Sequence, residues 1–345
     1  METSRLSDLL KAYRRAPEVF QATSYWNSYE KGILETISKI DFLKIRSGKY
    51  PILATFGFTD VIYSYPISMP VWKKILLKFI RNLVGRSTAF MPYQLSLSEI
   101  RHMAFHHCEL LADISGAMSI STIETSTFGN PADLFSIHHK KYTMHFLNYY
   151  VRYCFARKHI SFKGDEIVVD LGTGSGYQIE VLKKLYPDLT VLCFDLPAQI
   201  FLCEEYLTEA LNKADIVGTG ITKDWKDLSQ LKKGGIHFFG NWQFPLLEGF
   251  QFDLFWNAAS FGEMEPHVVE NYLSYIKGNV QWVYLLNARH GKETKGKIHV
   301  NKPITFENYQ DMLSGYKLLD HHDAYFAHRR LSQSKGYFEA LWMKE

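Results

Sequence analysis

The sequence predicts an α/β fold, in which a Rossmann-like, mostly parallel sheet of seven strands follows a mainly helical N-terminal region. Two observations support this prediction. From residue 166 onward, short apolar runs alternate with stretches of helical periodicity, as in a parallel sheet that is covered on both faces. The first apolar run ends in a glycine cluster, and a helical stretch follows directly. We therefore divide the chain into a helical region, 1–150, and a sheet-containing domain, 151–345.

The N-terminal region is predicted to be helical because its apolar residues recur at three- and four-residue spacing. The predicted helices cover residues 6–14, 26–40, 71–84, 96–114 and 141–157. Residues 50–65 are rich in β-branched and aromatic side chains, which indicates short strands or buried irregular chain. The segment 73–86 mixes basic and apolar residues, and two interpretations remain open: a core helix with a solvated basic face, or a helix that lies on a membrane surface.

The second half is predicted to alternate strands and helices. The predicted strands cover residues 167–171, 189–194, 236–239, 252–256 and 280–286, and the predicted helices cover 177–185, 198–211 and 266–276. Two further strands, at 316–325 and 337–343, are close in sequence, so we expect them to form an antiparallel pair at the sheet edge. This pair completes the seven strands.

Composition narrows the class of protein. Hydrophobic residues make up 46% and charged residues 22% of the chain, which is ordinary for a globular protein with a sizeable core. The net charge of +3 is too small to indicate a nucleic-acid partner by itself. The sequence contains no signal-peptide-type apolar run and no transmembrane segment, and its 4 cysteines form no C-x-x-C pair. We therefore expect a cytoplasmic protein with reduced thiols.

A glycine loop after the first strand is the strongest functional signal. Gly172, Gly174 and Gly176 alternate between a strand and a helix, where backbone can approach a ligand closely. A dinucleotide loop would place its third glycine at Tyr177 instead. Asp170, at the strand end, would repel a pyrophosphate but suits an ammonium group. The loop therefore favours S-adenosylmethionine, which carries an ammonium and a sulfonium and has no phosphate.

A second acid, Asp195, is also consistent with S-adenosylmethionine as the ligand. Asp195 closes the next strand, 25 residues after Asp170. A carboxylate at that place can accept hydrogen bonds from both hydroxyl groups of a ribose. The alternative interpretation is that both acids only cap turns at strand ends.

The segment 166–197 resembles motif I and its continuation in class I S-adenosylmethionine-dependent methyltransferases, and Asp195-Leu196-Pro197 is similar to the small-molecule O-methyltransferase branch. The resemblance implies that Asn241 contacts the adenine and that Trp242 packs on its ring, although the family has an acid where this chain has Asn241. The predicted cofactor-binding set is Asp170, Gly172, Thr173, Gly174, Gly176, Asp195, Leu196, Asn241, Trp242 and Asn257.

Residues 120–345 resemble bacterial sugar O-methyltransferases. The resemblance is carried by residues 126–131 (STFGNP), 148–150 (NYY) and 257–264 (NAASFGEM). It implies that the acceptor is a sugar or glycan hydroxyl, which the N-terminal region would cover. The same region is expected to pair two subunits into a homodimer.

Methylation of a hydroxyl needs a base, and three candidates follow the fourth strand. We rank Glu263 first, because it lies closest to the strand end, and His267 and Glu265 after it. Plant-type O-methyltransferases have a histidine base near this position, but Ser260 or Phe261 aligns there, so that base cannot be carried over. The alternative for each candidate is a solvated acid or a helix cap.

Other functions remain open at this stage. A phenol or another natural product is a second class of acceptor, and a cofactor-binding scaffold without catalysis is a non-enzyme alternative. Nucleic-acid amino-methyltransferases have an Asp/Asn-Pro-Pro-aromatic loop, whereas residues 257–260 read NAAS here. The histidine doublets at 106–107, 138–139 and 321–322 are not predicted to bind a metal, because adjacent side chains point in different directions.

Overall fold

A mainly helical N-terminal region leads into a large mixed sheet. The computed structural model describes residues 2–57, 97–291, 300–325 and 333–345. The N-terminal helices are α1 (Glu2–Tyr13), α2 (Ser24–Ile37), α3 (Leu97–Ser115) and α4 (Met144–Arg157), and a small hairpin joins β1 (Phe135–Ile137) to β2 (Lys140–Tyr142). Pro51–Phe56 is a 3-10 helix, so that stretch is not a strand. The predicted helix 71–84, the basic segment 73–86 and residues 58–65 lie outside the described residues.

Within the described residues, the main sheet has eight strands. They are β3 (Ile167–Leu171), β4 (Thr190–Asp195), β5 (Ile216–Val217), β6 (Ile236–Gly240), β7 (Phe252–Ala258), β8 (Val280–Ala288), β9 (Tyr316–Tyr325) and β10 (Gln333–Lys344). Their order is β5-β6-β4-β3-β7-β8-β10-β9, with β10 antiparallel to both of its neighbours and the remaining pairs parallel. The fold class and the antiparallel edge pair are confirmed. The described sheet has one strand more than the seven predicted. The additional strand is β5, whose two residues are too few to show a periodicity.

Helices cover both faces of this sheet. The later helices are α5 (Tyr177–Leu185), α6 (Pro197–Ala210), α7 (Thr219–Thr222), α8 (Pro266–Ile276) and α9 (Phe306–Met312). On β3, Val168 belongs to the hydrophobic cluster under α4, α5 and α6, whereas Val169 belongs to the cluster under α8 and α9. Because both faces are buried, the central strands are continuously apolar and do not alternate with polar residues.

The N-terminal helices share the core of the sheet domain. Leu9 of α1 and Ile33 of α2 belong to the same hydrophobic cluster as Val168. The predicted division between residues 150 and 151 falls inside α4, which packs against α5. Among the described helices, none is long and apolar enough to cross a membrane.

Candidate functional site

A cavity of about 500 Å³ opens at the carboxyl ends of the parallel strands. Its floor is formed by the ends of β3, β4 and β6 and by the loop after β7, and residues 21–26 and 54–57 of the N-terminal region form part of its wall. β3 pairs with β4 on one side and with β7 on the other, so the order of strands switches direction at β3. A crevice at such a switch in strand order is the usual ligand site of open α/β sheets.

The glycine loop brings bare backbone to this cavity. Gly172, Thr173 and Gly174 all line it. Gly172 has a φ of +77°, and a Cβ there would collide with the side chain of Ser260. Position 172 therefore accepts only glycine for two reasons, its backbone conformation and its close approach to the loop after β7.

Gly176 serves the packing of the helix that follows. It has a φ of +79°, and a Cβ would lie 2.9 Å from Sγ of Cys203 on α6. Gly176 does not line the cavity. Its absence of a side chain lets α5 approach α6 and so directs the start of α5 toward the cavity, where Gln178 contributes to the lining.

Asp195, at the end of β4, is hydrogen-bonded to the glycine loop. Its Oδ2 accepts a 2.7 Å hydrogen bond from the amide of Gly174, and its Oδ1 accepts another of 2.7 Å from the amide of Leu196. Burial raises the pKa of Asp195 to about 7, although the two amides lower it, and the charge of Glu263 raises it further. Each oxygen retains lone-pair capacity for a further donor from a ligand.

Asp170 is the second acid of the cavity floor and is buried, at 3% exposure. Burial raises its pKa to about 8, the charge of Asp195 adds to the rise, and the charge of Arg152 opposes it. Two carboxyl groups of this kind share a low-dielectric site, so a positively charged ligand there stabilises their ionised forms. The cavity floor therefore suits a cation and disfavours a phosphate.

Asn241 follows β6 and has a fixed orientation. Its Nδ2 donates to the carbonyl oxygen of Phe20 at 2.7 Å and to the hydroxyl of Tyr272 at 2.8 Å. A carbonyl oxygen can only accept, so the amide nitrogen must face Phe20. Oδ1 of Asn241 is buried and accepts no hydrogen bond from the described residues, although the residue lines the cavity. A ligand amino group would satisfy it.

Besides Gly176, two more of the predicted cofactor residues, Trp242 and Asn257, do not line the cavity. The ring of Trp242 lies 5.6 Å from that of Tyr13, between centroids. Asn257 is fully buried, and its Nδ2 donates to the carbonyl of Leu171 at 2.9 Å and to Oγ of Ser260 at 2.5 Å. Asn257 therefore ties the loop after β7 to the end of β3.

Of the three candidate bases, Glu263 lines the cavity. It is 6% exposed, and its Oε2 accepts a 2.7 Å hydrogen bond from Nε1 of Trp26. Glu265 is the N-cap of α8 and accepts hydrogen bonds from the amides of Asn301 and Lys302, at 2.7 and 3.1 Å. His267 is exposed in the first turn of α8. The structure thus brings Glu263 to the acids of the floor and leaves the other two outside.

Helix α4 contributes a set of cavity residues that were not among the predicted site residues. His145, Asn148, Tyr149 and Arg152 follow i, i+3, i+4, i+7 spacing and all line the cavity. Burial lowers the pKa of His145 to about 4, and the nearby charges of Arg46 and Arg152 act in the same direction. The available signal was a polar and aromatic stripe on a helix that directly precedes β3.

The histidine doublets show no metal centre among the described residues, where no group of three His, Cys, Asp or Glu side chains gathers around one point. His107 of the first doublet is buried, whereas His106 is exposed. His138 and His139 form the turn of the β1–β2 hairpin, with φ values of 48° and 68°.

Comparisons with known proteins found likenesses of structure only. None of the protein-family models and none of the curated proteins matches this chain. The chain is similar to a SAM-dependent methyltransferase from Aquifex aeolicus, with 13% identity and a TM-score of 0.36 over 56% of this chain and 89% of that chain. It is similar to fibrillarin from Methanococcus jannaschii, with 12% identity and a TM-score of 0.37 over 61% of this chain and 82% of that chain.

A third structure is an O-methyltransferase family 2 protein from Planctomyces limnophilus in complex with apigenin. The identity is 11% and the TM-score 0.36, and the match covers 54% of this chain. It spans about half, 52%, of the length of that protein. The fold is therefore described by the strand order of this chain, and the chemistry of the site by the residues that line its cavity.

Proposed function

We propose that this protein is an S-adenosylmethionine-dependent O-methyltransferase. The observation that carries the proposal is a pair of acids, the buried Asp170 and the half-buried Asp195, around a glycine loop whose amide at Gly174 already donates to Asp195. A dinucleotide or nucleotide phosphate would meet two carboxyl groups at this loop. A ligand with an ammonium group, a ribose and no phosphate has the complementary charge.

The residues present fit each part of this cofactor. Asp170 would hold the ammonium group, Asp195 the ribose hydroxyls, and Oδ1 of Asn241 the amino group of the adenine. The amide groups in the first turn of α5, near Gln178, would donate to the carboxylate of the cofactor's methionine moiety. When bound, the cofactor supplies an electrophilic methyl group on its sulfonium.

Glu263 is the candidate base for the acceptor. Of the three candidate bases, it is the one that lines the cavity, and Trp26 donates a hydrogen bond to its carboxylate. An alcohol is a poor nucleophile near neutral pH, so a base that receives its proton contributes about 10²–10⁴ in rate. We propose a sugar or glycan hydroxyl as the acceptor, since aromatic faces at Trp26, Tyr149 and Tyr337 line the space around the floor.

Isothermal titration calorimetry with S-adenosylhomocysteine tests the proposal. We expect the purified protein to bind it and to give no heat with NAD. Asp195→Asn should weaken binding at least tenfold, because a neutral amide no longer accepts both ribose hydroxyls equally. Asp188→Asn, at an exposed position, is the matched control and should bind like the wild type. Binding of NAD without binding of S-adenosylhomocysteine would refute the proposed function.

A further inference from the structure

The order of strands divides the cavity into two parts. Along the sheet edge, its lining passes from Asn241 after β6 to Asp195 of β4 and Asp170 of β3, and then to Trp256 of β7 and Tyr337 of β10. The inference rests on the proposed function, under which the first three residues hold the cofactor. The part of the cavity beyond β3, toward β7 and β10, then faces the acceptor.

Arg152 lies in this second part. Its guanidinium group stands over the ring of Tyr149, 4.4 Å from the centroid. Phe155, one turn further along α4, packs against Tyr284 of β8 with ring centroids 6.1 Å apart, so this part of α4 faces the β8–β10 side of the cofactor acids. Trp256, beside Asp170 in the sheet register, stacks on Tyr284 at 3.7 Å.

Within the described part of the chain, Arg152 has no counter-ion in contact. Among the described residues, no carboxylate lies within 4.0 Å of its guanidinium group, and it donates no hydrogen bond to them. The other titratable side chains that line the described cavity are the acids Asp170, Asp195 and Glu263, the tyrosines, and His145, whose pKa burial lowers to about 4. Arg152 is therefore the one cationic side chain among the described lining residues.

We propose that the acceptor carries a carboxylate that pairs with Arg152, on a ring that packs against Tyr149, Trp256 and Tyr337. The planar guanidinium fork matches a carboxylate in a bidentate arrangement, and guanidinium groups stack on aromatic faces as Arg152 does. A single carboxylate balances the single charge of Arg152, which is the one cationic side chain among the described lining residues, whereas a phosphate dianion would leave a negative charge without a partner.

Two matched pairs of probes test this, each measured by calorimetry with S-adenosylhomocysteine at saturation. Methyl β-D-glucuronide against methyl β-D-glucoside compares a charged with a neutral sugar, and 4-hydroxybenzoate against 4-hydroxybenzamide does the same for a phenol. We expect the charged member of one pair to bind at least tenfold more tightly than its neutral partner. The pair that shows the preference identifies the ring.

Two variants distinguish a contact of Arg152 with the acceptor from a contact with the cofactor. Arg152→Gln should abolish the preference for the charged probe while it binds S-adenosylhomocysteine within threefold of the wild type. Arg157→Gln, at the end of the same helix and outside the cavity lining, should retain the preference. Three results overturn the inference: no preference in either pair, a preference that survives in Arg152→Gln, or loss of cofactor binding in that variant, which would assign the guanidinium to the cofactor. If the wild type fails to bind S-adenosylhomocysteine, the proposed function itself fails.

Discussion

Nε1 of Trp26 donates a 2.7 Å hydrogen bond to Oε2 of Glu263, although the two residues lie 237 positions apart in the sequence. A second contact runs parallel to it, because Oγ1 of Thr23 donates to the backbone carbonyl of Glu263 at 2.9 Å. The start of α2 thus fixes both the side chain and the backbone of the candidate base.

Glu263→Gln tests the catalytic role that we propose. The amide cannot receive a proton from the acceptor, so turnover should fall at least about 100-fold. The dissociation constant for S-adenosylhomocysteine should stay within threefold of the wild type. Turnover is measured as S-adenosylhomocysteine formed in the presence of acceptor. Glu265→Gln, outside the cavity, serves as the control and should retain turnover. Near-normal turnover of Glu263→Gln would remove Glu263 from this role.

Gly172→Ala tests the close approach at the glycine loop. An alanine at position 172 would have to adopt a φ of +77°, and its Cβ would collide with Ser260. We therefore expect a loss of about 1–3 kcal/mol in the free energy of unfolding, and weaker cofactor binding. Gly278→Ala is a matched control, since Gly278 has a φ of +79° and no heavy atom within 4 Å of the added Cβ. Urea unfolding should show a larger loss for Gly172→Ala. Equal losses would mean that backbone strain alone matters there.

Arg46→Met tests how the N-terminal region is fastened to the sheet domain. Arg46 is fully buried, donates to the carbonyl of Ser126 at 2.6 Å and to the hydroxyl of Tyr206 at 3.1 Å, and stands 4.7 Å from the ring centroid of Tyr177. Removal of a buried, hydrogen-bonded charge should lower the free energy of unfolding by about 3–5 kcal/mol. Arg15→Met, at an exposed position, should leave the urea midpoint unchanged. A small loss for Arg46→Met would show that the two regions are held by other contacts.

The buried acids also predict how stability depends on pH. Burial raises the pKa values of Asp170 and Glu339 to about 8 and that of Asp195 to about 7, well above their unfolded values. Between the unfolded and folded pKa values, the folded protein binds more protons than the unfolded chain, so the free energy of unfolding falls as pH rises. The ligand-free protein should therefore melt at a lower temperature at pH 8.5 than at pH 7.

Asp170→Asn isolates one of these groups. An asparagine does not titrate, so the decrease in melting temperature between pH 7 and pH 8.5 should be smaller in this variant. The window avoids lower pH values, where buried histidines act in the opposite direction; burial lowers the pKa to about 4 for His107, His145 and His237. An unchanged pH dependence in Asp170→Asn would show that Asp170 is ionised in the ligand-free protein.

Most of the sheet could be predicted because its strands are buried on both faces. Continuous apolar runs such as Ile167–Leu171 mark the central strands, and the glycines after β3 mark the place where a ligand meets backbone. β5 could not be predicted, since Ile216–Val217 is too short to show a pattern. The division at residue 150 remains a prediction, although α4 runs through it.

The cavity wall was harder to predict than its floor. Asp170 and Asp195 lie at strand ends, where sequence order and spatial order agree. Trp26 reaches the cavity only through the packing of α2, which depends on tertiary contacts that no local pattern encodes. Arg152 belongs to a polar and aromatic stripe on α4, but the stripe alone does not say what it faces. Among the candidate bases, sequence spacing alone could not tell Glu263 from Glu265, because a turn at the start of α8 sends the two side chains to different surroundings.

The hydrogen bond from Asn241 to the carbonyl of Phe20 has a practical consequence for chimeric enzymes. Grafting the first 57 residues of another protein onto this chain would replace the backbone that orients Asn241 together with the indole that holds Glu263. Under the proposed function, such an exchange would alter affinity for the cofactor and preference for the acceptor in the same step, so neither trait can be transplanted alone.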